Sequence, residues 1–271
     1  MSRTGRIPVV LSIAGSDSGG GAGIQADLKA FAAAGVHGAT AVTALTAQNT
    51  VGVTGVHPVP PPFVAEQVRA VATDLGVDAV KVGMLGDVPV IEAVARALDE
   101  LPAGTPVVVD PVMVAESGAR LLPPDAEQAL IHLILPRATV ATPNVPEARA
   151  LTRSAEDAPP DELARAVKRL GPQAVILTGG HRDEATDLFF DGRRLVEIPG
   201  ERHPDGAAHG SGCTHSSTLA ARLALGDDPL DAARAAKAAA GEAVRNGLRE
   251  LGAGAGPVDV LGLHRATAAL P

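Results

Sequence analysis

The chain has 271 residues, of which 46% are hydrophobic, and it carries a formal net charge of -8. This acidic balance argues against nucleic acids and membrane surfaces as partners. The single cysteine excludes an intrachain disulfide and a multi-cysteine zinc site, and it is typical of the reducing cytoplasm. The apolar run over residues 9–13 is too short for a signal peptide or a membrane span. We therefore expect one cytoplasmic domain over residues 1–271.

Short β-branched runs alternate with longer segments of helical periodicity. Strands are predicted over residues 8–14, 40–46, 52–57, 78–82, 106–110, 138–141, 174–178, 186–190 and 194–198. Helices are predicted over residues 23–35, 63–75, 88–99, 124–134, 145–151, 160–170, 213–225 and 229–248. This alternation predicts an α/β fold with a mostly parallel sheet and helices on both faces. The polar turn within residues 38–59 predicts a hairpin flap, and residues 252–271 are expected to form a flexible tail.

A glycine-rich segment, Ala14–Asp27, joins the first strand to the first helix. Part of it, Gly21–Ala26, matches the dinucleotide pattern G-x-G-x-x-A, but the acidic residue expected about 20 residues later is missing. The P-loop pattern G-x-x-x-x-G-K-[ST] does not occur in the chain. Asp27 lies at the edge of the buried stripe of the first helix, as either a solvated acid or a ligand contact. The neighbouring glycine run favours the ligand contact.

Polar residues follow three neighbouring predicted strands. Asp110 ends the first of them, either at the ligand-binding edge of the sheet or as a helix N-cap. Asn144 and Glu147 follow the second, where Asn144 either caps the next helix or, with Glu147, supplies oxygen ligands that suit Mg²⁺. The third is followed by Thr178, Gly179 and Gly180, a turn that either approaches a nucleotide phosphate or reverses the chain.

Other side chains restrict the chemistry further. Lys237 lies seven residues from both Leu230 and Val244 on an apolar stripe, so it either extends to solvent or points toward a phosphate. The histidines show no H-x-H or H-E-x-x-H spacing, which argues against a catalytic zinc site. The chain has no Trp or Tyr, so a planar ligand must rest on aliphatic groups, Met, Phe or His.

The most informative segment is the turn Gly210–Cys213, directly before a predicted helix. Small residues running into a helix expose unpaired backbone N–H groups, which suit a phosphate or a developing anion. The thiol of Cys213 lies in the same positive field, which we expect to lower its pKa. The alternative is an inert, buried cysteine, but the position at the start of the helix favours a functional one. Together these features predict a phosphoryl-transfer site.

These motifs together resemble the hydroxymethylpyrimidine/phosphomethylpyrimidine kinases of thiamine biosynthesis, within the ribokinase-like superfamily. The resemblance runs in family order across nearly the whole chain. It is carried by Ala14–Asp27, Thr43–Thr50, Lys81–Leu85, Asp110–Met113, Thr142–Asn144 with Glu147, and His209–Thr214.

The resemblance implies a three-layer α/β/α fold with a small β flap, usually a homodimer, and MgATP as the phosphoryl donor. It implies an anion hole formed by Gly210, Ser211, Gly212 and Cys213, with Cys213 accepting the proton of the substrate hydroxymethyl group. The implied pyrimidine pocket consists of Gly15, Ala22, Asp27, Thr46, Gln48, Met84 and Val112. Metal binding falls to Asp110 and Glu147, and nucleotide binding to Asn144, Thr178, Gly180 and Lys237; a monovalent cation is a further possible requirement.

The leading hypothesis is therefore a kinase that phosphorylates the aminopyrimidine and then its monophosphate. A vitamin B6 kinase acting on pyridoxal or pyridoxine is the alternative enzyme. An alternative of another class is a non-catalytic pyrimidine-binding protein, against which the retained Cys213, Asp110 and Glu147 argue.

Overall fold

The computed structural model describes residues 5–114, 121–179, 185–204 and 206–267. The strands are β1 (Val9–Ala14), β2 (His37–Val42), β3 (Ala44–Gln48), β4 (Val53–Pro58), β5 (Ala79–Val82), β6 (Val107–Val109), β7 (Val140–Ala141), β8 (Ala174–Leu177), β9 (Asp187–Phe190) and β10 (Leu195–Ile198). The helices are α1 (Gly23–Ala33), α2 (Pro61–Asp74), α3 (Val88–Asp99), α4 (Pro124–Ala129), α5 (Val145–Thr152), α6 (Pro160–Arg169), α7 (Ser211–Ala224), α8 (Pro229–Arg245) and α9 (Leu263–Thr267).

Eight strands form one sheet in the order β10-β9-β8-β7-β6-β5-β1-β2. The pairs from β2 to β8 are parallel, whereas β9 and β10 pair antiparallel at one edge. The predicted α/β class with a mostly parallel sheet is thereby confirmed. Parallel strands require crossover connections, and the helical segments between the strands provide them.

Alternating strand residues face two different helix layers. On β1, Leu11 and Ile13 belong to a core shared with α2 to α6, whereas Val10 packs with α1, α7 and α8. The strand residues facing α2 to α6 are apolar throughout β1, β5 and β6. On the opposite face, the buried polar residues Ser12 and Lys81 interrupt the apolar packing. The fold thus has three layers, with a polar centre beneath α1 and α7.

The flap is smaller than residues 38–59. The run that begins it, β2, pairs with β1 over six residues and belongs to the main sheet. Thr43 separates β2 from β3, since its backbone N–H donates to Ala14 and its hydroxyl donates to Met84. Only β3 and β4 form the hairpin, as a separate two-stranded sheet. The predicted strand over residues 40–46 therefore corresponds to two strands with a change of direction between them.

Two other predictions also need correction. In the segment predicted as a helix over residues 124–134, the regular α-helix ends at Ala129. A π-helical turn, Leu130–Ile134, follows it. The predicted flexible tail contains a fixed segment, since Gly256 to Asp259 are buried and Pro257 pairs with His209. Within the described residues, no helix is both long and apolar enough to cross a membrane.

Candidate active site

A cavity of about 980 Å³ lies at the carboxyl ends of the parallel strands. Gly15 follows β1, Met84 follows β5 and Asp110 follows β6, and all three line it. Asn144, after β7, and Thr178, after β8, line it as well. Open α/β sheets bind their ligands at this edge, so the polar strand ends converge on one site as expected.

The glycine-rich loop forms one wall of the cavity and is folded around the carboxylate of Asp17. This side chain is 1% exposed and accepts hydrogen bonds from the backbone N–H groups of Gly19, Gly21 and Ala22, at 2.8, 3.0 and 2.8 Å. The loop ends at Gly23, whose φ is +56° and whose position leaves no room for a Cβ, which would lie 2.5 Å from the Gly15 carbonyl oxygen. The chain can therefore turn from β1 into α1 only with glycine here.

The turn at the start of α7 forms a second, adjoining wall. Gly210 is its N-cap in the left-handed conformation, with φ of 83°, and no side chain caps the helix. Ser211, Gly212 and Cys213 follow and line the cavity. An uncapped helix N-terminus leaves backbone N–H groups for an anion, which supports the predicted anion hole.

Beneath this turn lies a buried network of charges. Lys81 on β5 is 0% exposed by residue, lines the cavity and places its Nζ 2.9 Å from Asp27 Oδ1 and 4.0 Å from Asp110 Oδ2. Asp27 also accepts hydrogen bonds from the hydroxyls of Ser12 and Ser217, at 2.6 and 2.7 Å. Burial alone would lower the pKa of Lys81, but the surrounding negative charges raise it, so the ammonium group stays protonated.

Lys81 is a site residue that the sequence analysis did not assign. A charged residue in the middle of a buried strand was the available signal, since Lys and Asp are rarely buried unless paired. Its partner Asp27 lies 54 positions away in the sequence. Pairing of this kind depends on the fold and cannot be read from local spacing.

Cys213 differs from the predicted low-pKa thiol. Burial raises the pKa of the thiol to about 12, and the carboxylates of Asp27 and Asp110 add to the rise. Lys81 and the Gly23 backbone oppose it without outweighing it. The field of the helix terminus is therefore not the dominant influence, and the free protein carries a neutral thiol at pH 7.

Asp110, which is buried, and Glu147, which is partly buried, are two acids that line the cavity. Burial raises the pKa of both side chains, and the nearby charge of Asp110 contributes to the pKa of about 8 for Glu147. Ser216 donates to Asp110 at 3.0 Å, and one Glu147 oxygen accepts from the Asn144 N–H at 2.9 Å. An acid whose pKa is raised by burial and by a neighbouring carboxylate favours a bound cation, and carboxylate oxygens suit Mg²⁺.

Asn144 takes the capping role that was one of its two predicted alternatives. Its side chain accepts from the Glu147 N–H at 2.8 Å, while Glu147 reaches back to the Asn144 N–H, which completes a capping box on α5. Both residues still line the cavity. Capping and ligand contact are therefore compatible here, because the capped helix begins at the cavity wall.

Lys237 lines the cavity, as does Thr178. Its Nζ lies 2.7 Å from Asp187 Oδ1, and the same oxygen accepts from the Gly179 N–H at 2.8 Å. His215 Nε2 lies 3.2 Å from the other Asp187 oxygen. The ammonium group of Lys237 is thus paired with Asp187 and does not extend freely into solvent or into the cavity. The predicted contact at Gly180 lies outside the described residues.

Five predicted pyrimidine-pocket residues line the cavity, and two do not. The five are Gly15, Ala22, Gln48, Met84 and Val112. Asp27 lies behind the wall, 0% exposed, with its oxygens taken by Lys81 and the two serines. The Thr46 hydroxyl donates to the Ser16 carbonyl at 3.0 Å and thereby ties the flap to the glycine-rich loop. The full burial of Asp27 contradicts the direct substrate contact predicted for it, whereas contact by Thr46, which is partly exposed, stays a prediction.

Comparisons with known proteins identify the family to which the chain belongs. A family model described as phosphomethylpyrimidine kinase matches residues 17–259. A hydroxymethylpyrimidine/phosphomethylpyrimidine kinase of Rhizobium meliloti is 51% identical over 92% of this chain and 96% of that protein. The pyridoxal kinase of Staphylococcus aureus, solved with pyridoxal, is 33% identical with a TM-score of 0.87 over 96% of both chains; its ADP complex gives 35% and 0.86. The phosphomethylpyrimidine kinase of Clostridium difficile is 37% identical with a TM-score of 0.75, over 86% of this chain and 97% of that one. The chain belongs to the phosphomethylpyrimidine kinase family.

Proposed function

We propose that the protein transfers the γ-phosphoryl group of ATP to the hydroxymethyl oxygen of 4-amino-5-hydroxymethyl-2-methylpyrimidine, and then phosphorylates the resulting monophosphate, in thiamine biosynthesis. The observation that carries this proposal is the uncapped start of α7, which opens on the cavity beside the buried cation Lys81. Backbone N–H groups and a fixed cation are the groups that stabilise a transferring phosphoryl group. The 51% identical relative, named for both phosphorylation steps, supports the choice of substrate.

In the proposed reaction, the hydroxymethyl oxygen forms a bond to the γ-phosphorus while the bond to the β–γ bridging oxygen breaks. ADP leaves with the bridging oxygen, and the turn Gly210–Cys213 stabilises the negative charge on the transferring group. The proton of the hydroxymethyl group passes to the sulfur of Cys213, which must be a thiolate to accept it. The raised pKa of this thiol makes the reactive fraction small at neutral pH.

The donor nucleotide is proposed to lie along Asn144, Thr178 and Lys237. Asp110 and Glu147 would hold Mg²⁺, which neutralises charge on the nucleotide phosphates when it is bound. Within the described residues, no group of three or more His, Cys, Asp or Glu side chains is placed to hold a metal. One or two carboxylates are common for Mg²⁺, since substrate phosphates supply further oxygens.

The acceptor is proposed to lie between the glycine-rich loop and Met84. The Gln48 side chain offers both a donor and an acceptor, which suits the ring nitrogen and exocyclic amine of an aminopyrimidine. Met84 and Val112 supply apolar faces for the ring. Asp27 acts from behind the wall, by holding Lys81 in place.

A vitamin B6 kinase is the second candidate. The pyridoxal kinase of Staphylococcus aureus matches this fold with a higher TM-score than the phosphomethylpyrimidine kinase of Clostridium difficile does, at 0.87 against 0.75. A pyridine with a hydroxymethyl arm presents the same nucleophile to the same phosphate. Fold similarity alone does not select between the two rings, because function depends on the site.

The test is a product analysis by mass spectrometry. The purified protein is incubated with MgATP and the hydroxymethylpyrimidine, and in parallel with MgATP and pyridoxal. The proposal predicts sequential mono- and diphosphate from the pyrimidine. Pyridoxal phosphate as the only product would assign the vitamin B6 kinase activity, and tight pyrimidine binding without any product would assign the non-catalytic binding protein.

The proposal extends to a cytoplasmic homodimer. Location in the cytoplasm is supported by the free thiol of Cys213, because reduced cysteines persist in reducing compartments. Dimer formation is supported by the flap, a two-stranded sheet with exposed Leu45 and Val51. Packing of these exposed apolar side chains against a second copy would remove them from water and so stabilise the flap.

A further inference from the structure

The two walls of the cavity are joined by a buried hydrogen bond that the proposed reaction does not use. His209 precedes the turn at the start of α7, and its Nε2 lies 2.9 Å from Asp17 Oδ2, in the centre of the glycine-rich loop. The two residues are 192 positions apart in sequence, and they are 7% and 1% exposed. An ionised carboxylate only accepts hydrogen bonds, so Nε2 carries the proton.

Asp17 gathers the loop into one conformation. Its Oδ2 accepts from Gly21, Ala22 and His209, while Oδ1 accepts from Gly19. Burial opposes ionisation of this carboxyl, but the hydrogen bonds from His209 and the backbone outweigh burial and lower its pKa. The carboxylate therefore remains charged, and it joins three amides of one wall to the side chain that begins the other.

His209 is fixed from its other side as well. Its backbone N–H donates to the Gly256 carbonyl, and its carbonyl accepts from the Val258 N–H at 3.1 Å. These bonds attach the residue to the buried segment after α8, so the imidazole projects from an anchored backbone. Both attachments therefore fix the position of the turn that follows, which begins at Gly210.

The two walls also touch each other directly, at Gly21 and Gly210. A Cβ on Gly210 would lie 1.8 Å from the Gly21 carbonyl oxygen, and a Cβ on Gly21 would lie 2.1 Å from the His209 ring. Such close backbone contact is possible only for glycine and requires the loops to keep one relative position. A small displacement of either loop would open or block this contact.

We propose that Asp17 and His209 are positioning residues, whose hydrogen bond holds the glycine-rich loop and the anion-binding turn in register so that acceptor and phosphoryl group meet. The inference rests on the proposed kinase function, because one wall contributes the acceptor pocket and the other the anion hole. Neither side chain takes part in bond making. Their effect is on the distance and direction of attack, to which transfer rates are sensitive.

The test compares two variants of similar side-chain size, His209→Gln and His209→Met. Gln keeps an N–H donor for Asp17, whereas Met does not. A displacement on the order of 1 Å costs about 10²-fold in rate, so we expect that fall in kcat for His209→Met with an unchanged KM for ATP. The Gln variant should recover most of the loss. His264→Met is the matched control, since it removes another His–Asp contact, at 2.7 Å from Asp259, outside the cavity.

A second measurement needs no substrate. Hydrogen exchange in the apo protein should accelerate in residues 15–23 and 209–214 of the Met variant, but not in those of the Gln variant. Equal kcat for the two variants, or faster exchange with wild-type kcat, would overturn the positioning role. If His209→Met does not fold, Asp17→Asn takes its place with the same expected result. The side-chain nitrogen introduced by this substitution would face N–H donors and could not accept their hydrogen bonds. Absence of any product from the wild-type protein would refute the kinase function, while the exchange experiment would still test the contact.

Discussion

Neighbouring groups have opposing effects on the pKa of the Cys213 thiol. Burial and two carboxylates raise the pKa of the thiol to about 12, whereas Lys81 favours the thiolate. A base with such a pKa is mostly protonated at pH 7. As long as the pH lies below the pKa, each unit of rise in pH increases the thiolate fraction about tenfold. The neutral thiol also makes Cys213 a weak target for oxidation, because thiolates are the reactive form.

A pH profile tests the proton-acceptor role of Cys213. At saturating Mg²⁺ we expect log kcat of the wild-type enzyme to rise with pH between about 7 and 9.5, because the thiolate is the active form and its pKa lies above that window. Cys213→Ser should remove the rise. Because Cys213 is the only cysteine and the chain has no Tyr, absorbance near 240 nm reports on its thiolate and should stay low in the same samples, as a pKa of about 12 requires. A flat wild-type profile would refute the base assignment.

The buried pair Lys81–Asp27 makes a second prediction. Lys81→Met leaves Asp27 buried without its cation, and breaking a buried pair in this way costs roughly 3–5 kcal/mol of the free energy of unfolding. Lys81→Met combined with Asp27→Asn removes both charges and should be markedly more stable than the Lys81→Met single variant. Urea denaturation of wild type, both single variants and the double variant measures the coupling. Strictly additive losses would contradict the pairing.

The double variant also separates stability from chemistry. Lys81 lines the cavity next to the start of α7, whereas Asp27 does not. We therefore expect the stable double variant to retain its fold but to show a reduced kcat, because the cation near the phosphoryl group is lost. Wild-type kcat in that variant would restrict Lys81 to a structural role.

At the scale of elements, the start of α7 depends on one residue conformation. Gly210 has a φ of +83°, and a Cβ there would overlap the Gly21 carbonyl, whereas a Cβ on Gly212 would meet nothing within 4 Å. The left-handed conformation alone costs an L-residue roughly 1–2 kcal/mol. We expect Gly210→Ala to lower Tm by several degrees and Gly212→Ala to leave it near the wild-type value, both measured by calorimetry. Equal Tm values would contradict the proposed loop contact.

Element boundaries were predictable where the sequence carries capping chemistry. An Asp followed by a Pro favours a helix start. The helix predicted over residues 229–248 accordingly begins at Pro229, and the Asp228 side chain accepts from the Leu230 N–H. The boundary at Thr43 carried no such sign, because β-branched residues continue across it without Gly or Pro. The change from main sheet to flap there is imposed by long-range contacts with Ala14 and Met84.

Some residues of the candidate active site could likewise be placed from the sequence, and others could not. Strand-end residues such as Asp110 and Thr178 could be placed, because parallel strands bring their carboxyl ends to one edge. The direction of the Asp27 side chain could not, since its partners Lys81 and Ser217 come from distant segments. The pKa of Cys213 also depended on those partners, so the local helix-terminus argument gave the wrong sign.

At the scale of the whole molecule, the flap is the candidate dimer surface. Leu45 is 52% exposed and lies opposite exposed His57 on one face of the hairpin. We expect Leu45→Glu to shift the protein from dimer to monomer in analytical ultracentrifugation, because a charge would have to be buried at the interface. Leu225→Glu, at an exposed leucine beyond the flap, is the control and should leave the assembly unchanged. A monomeric wild-type protein would refute the dimer.

The sheet separates two tasks between its faces. Lys81 and Ser12 face α1 and α7, where the charges of the site are fixed, while the strand residues that face α2 to α6 are apolar. Away from the start of α5, where Asn144 and Glu147 line the cavity, substitutions in the layer of α2 to α6 can therefore change packing without altering the electrostatics of the site. Adaptation to a different growth temperature, or laboratory stabilisation, therefore has most of a helix layer available in which catalysis imposes few constraints.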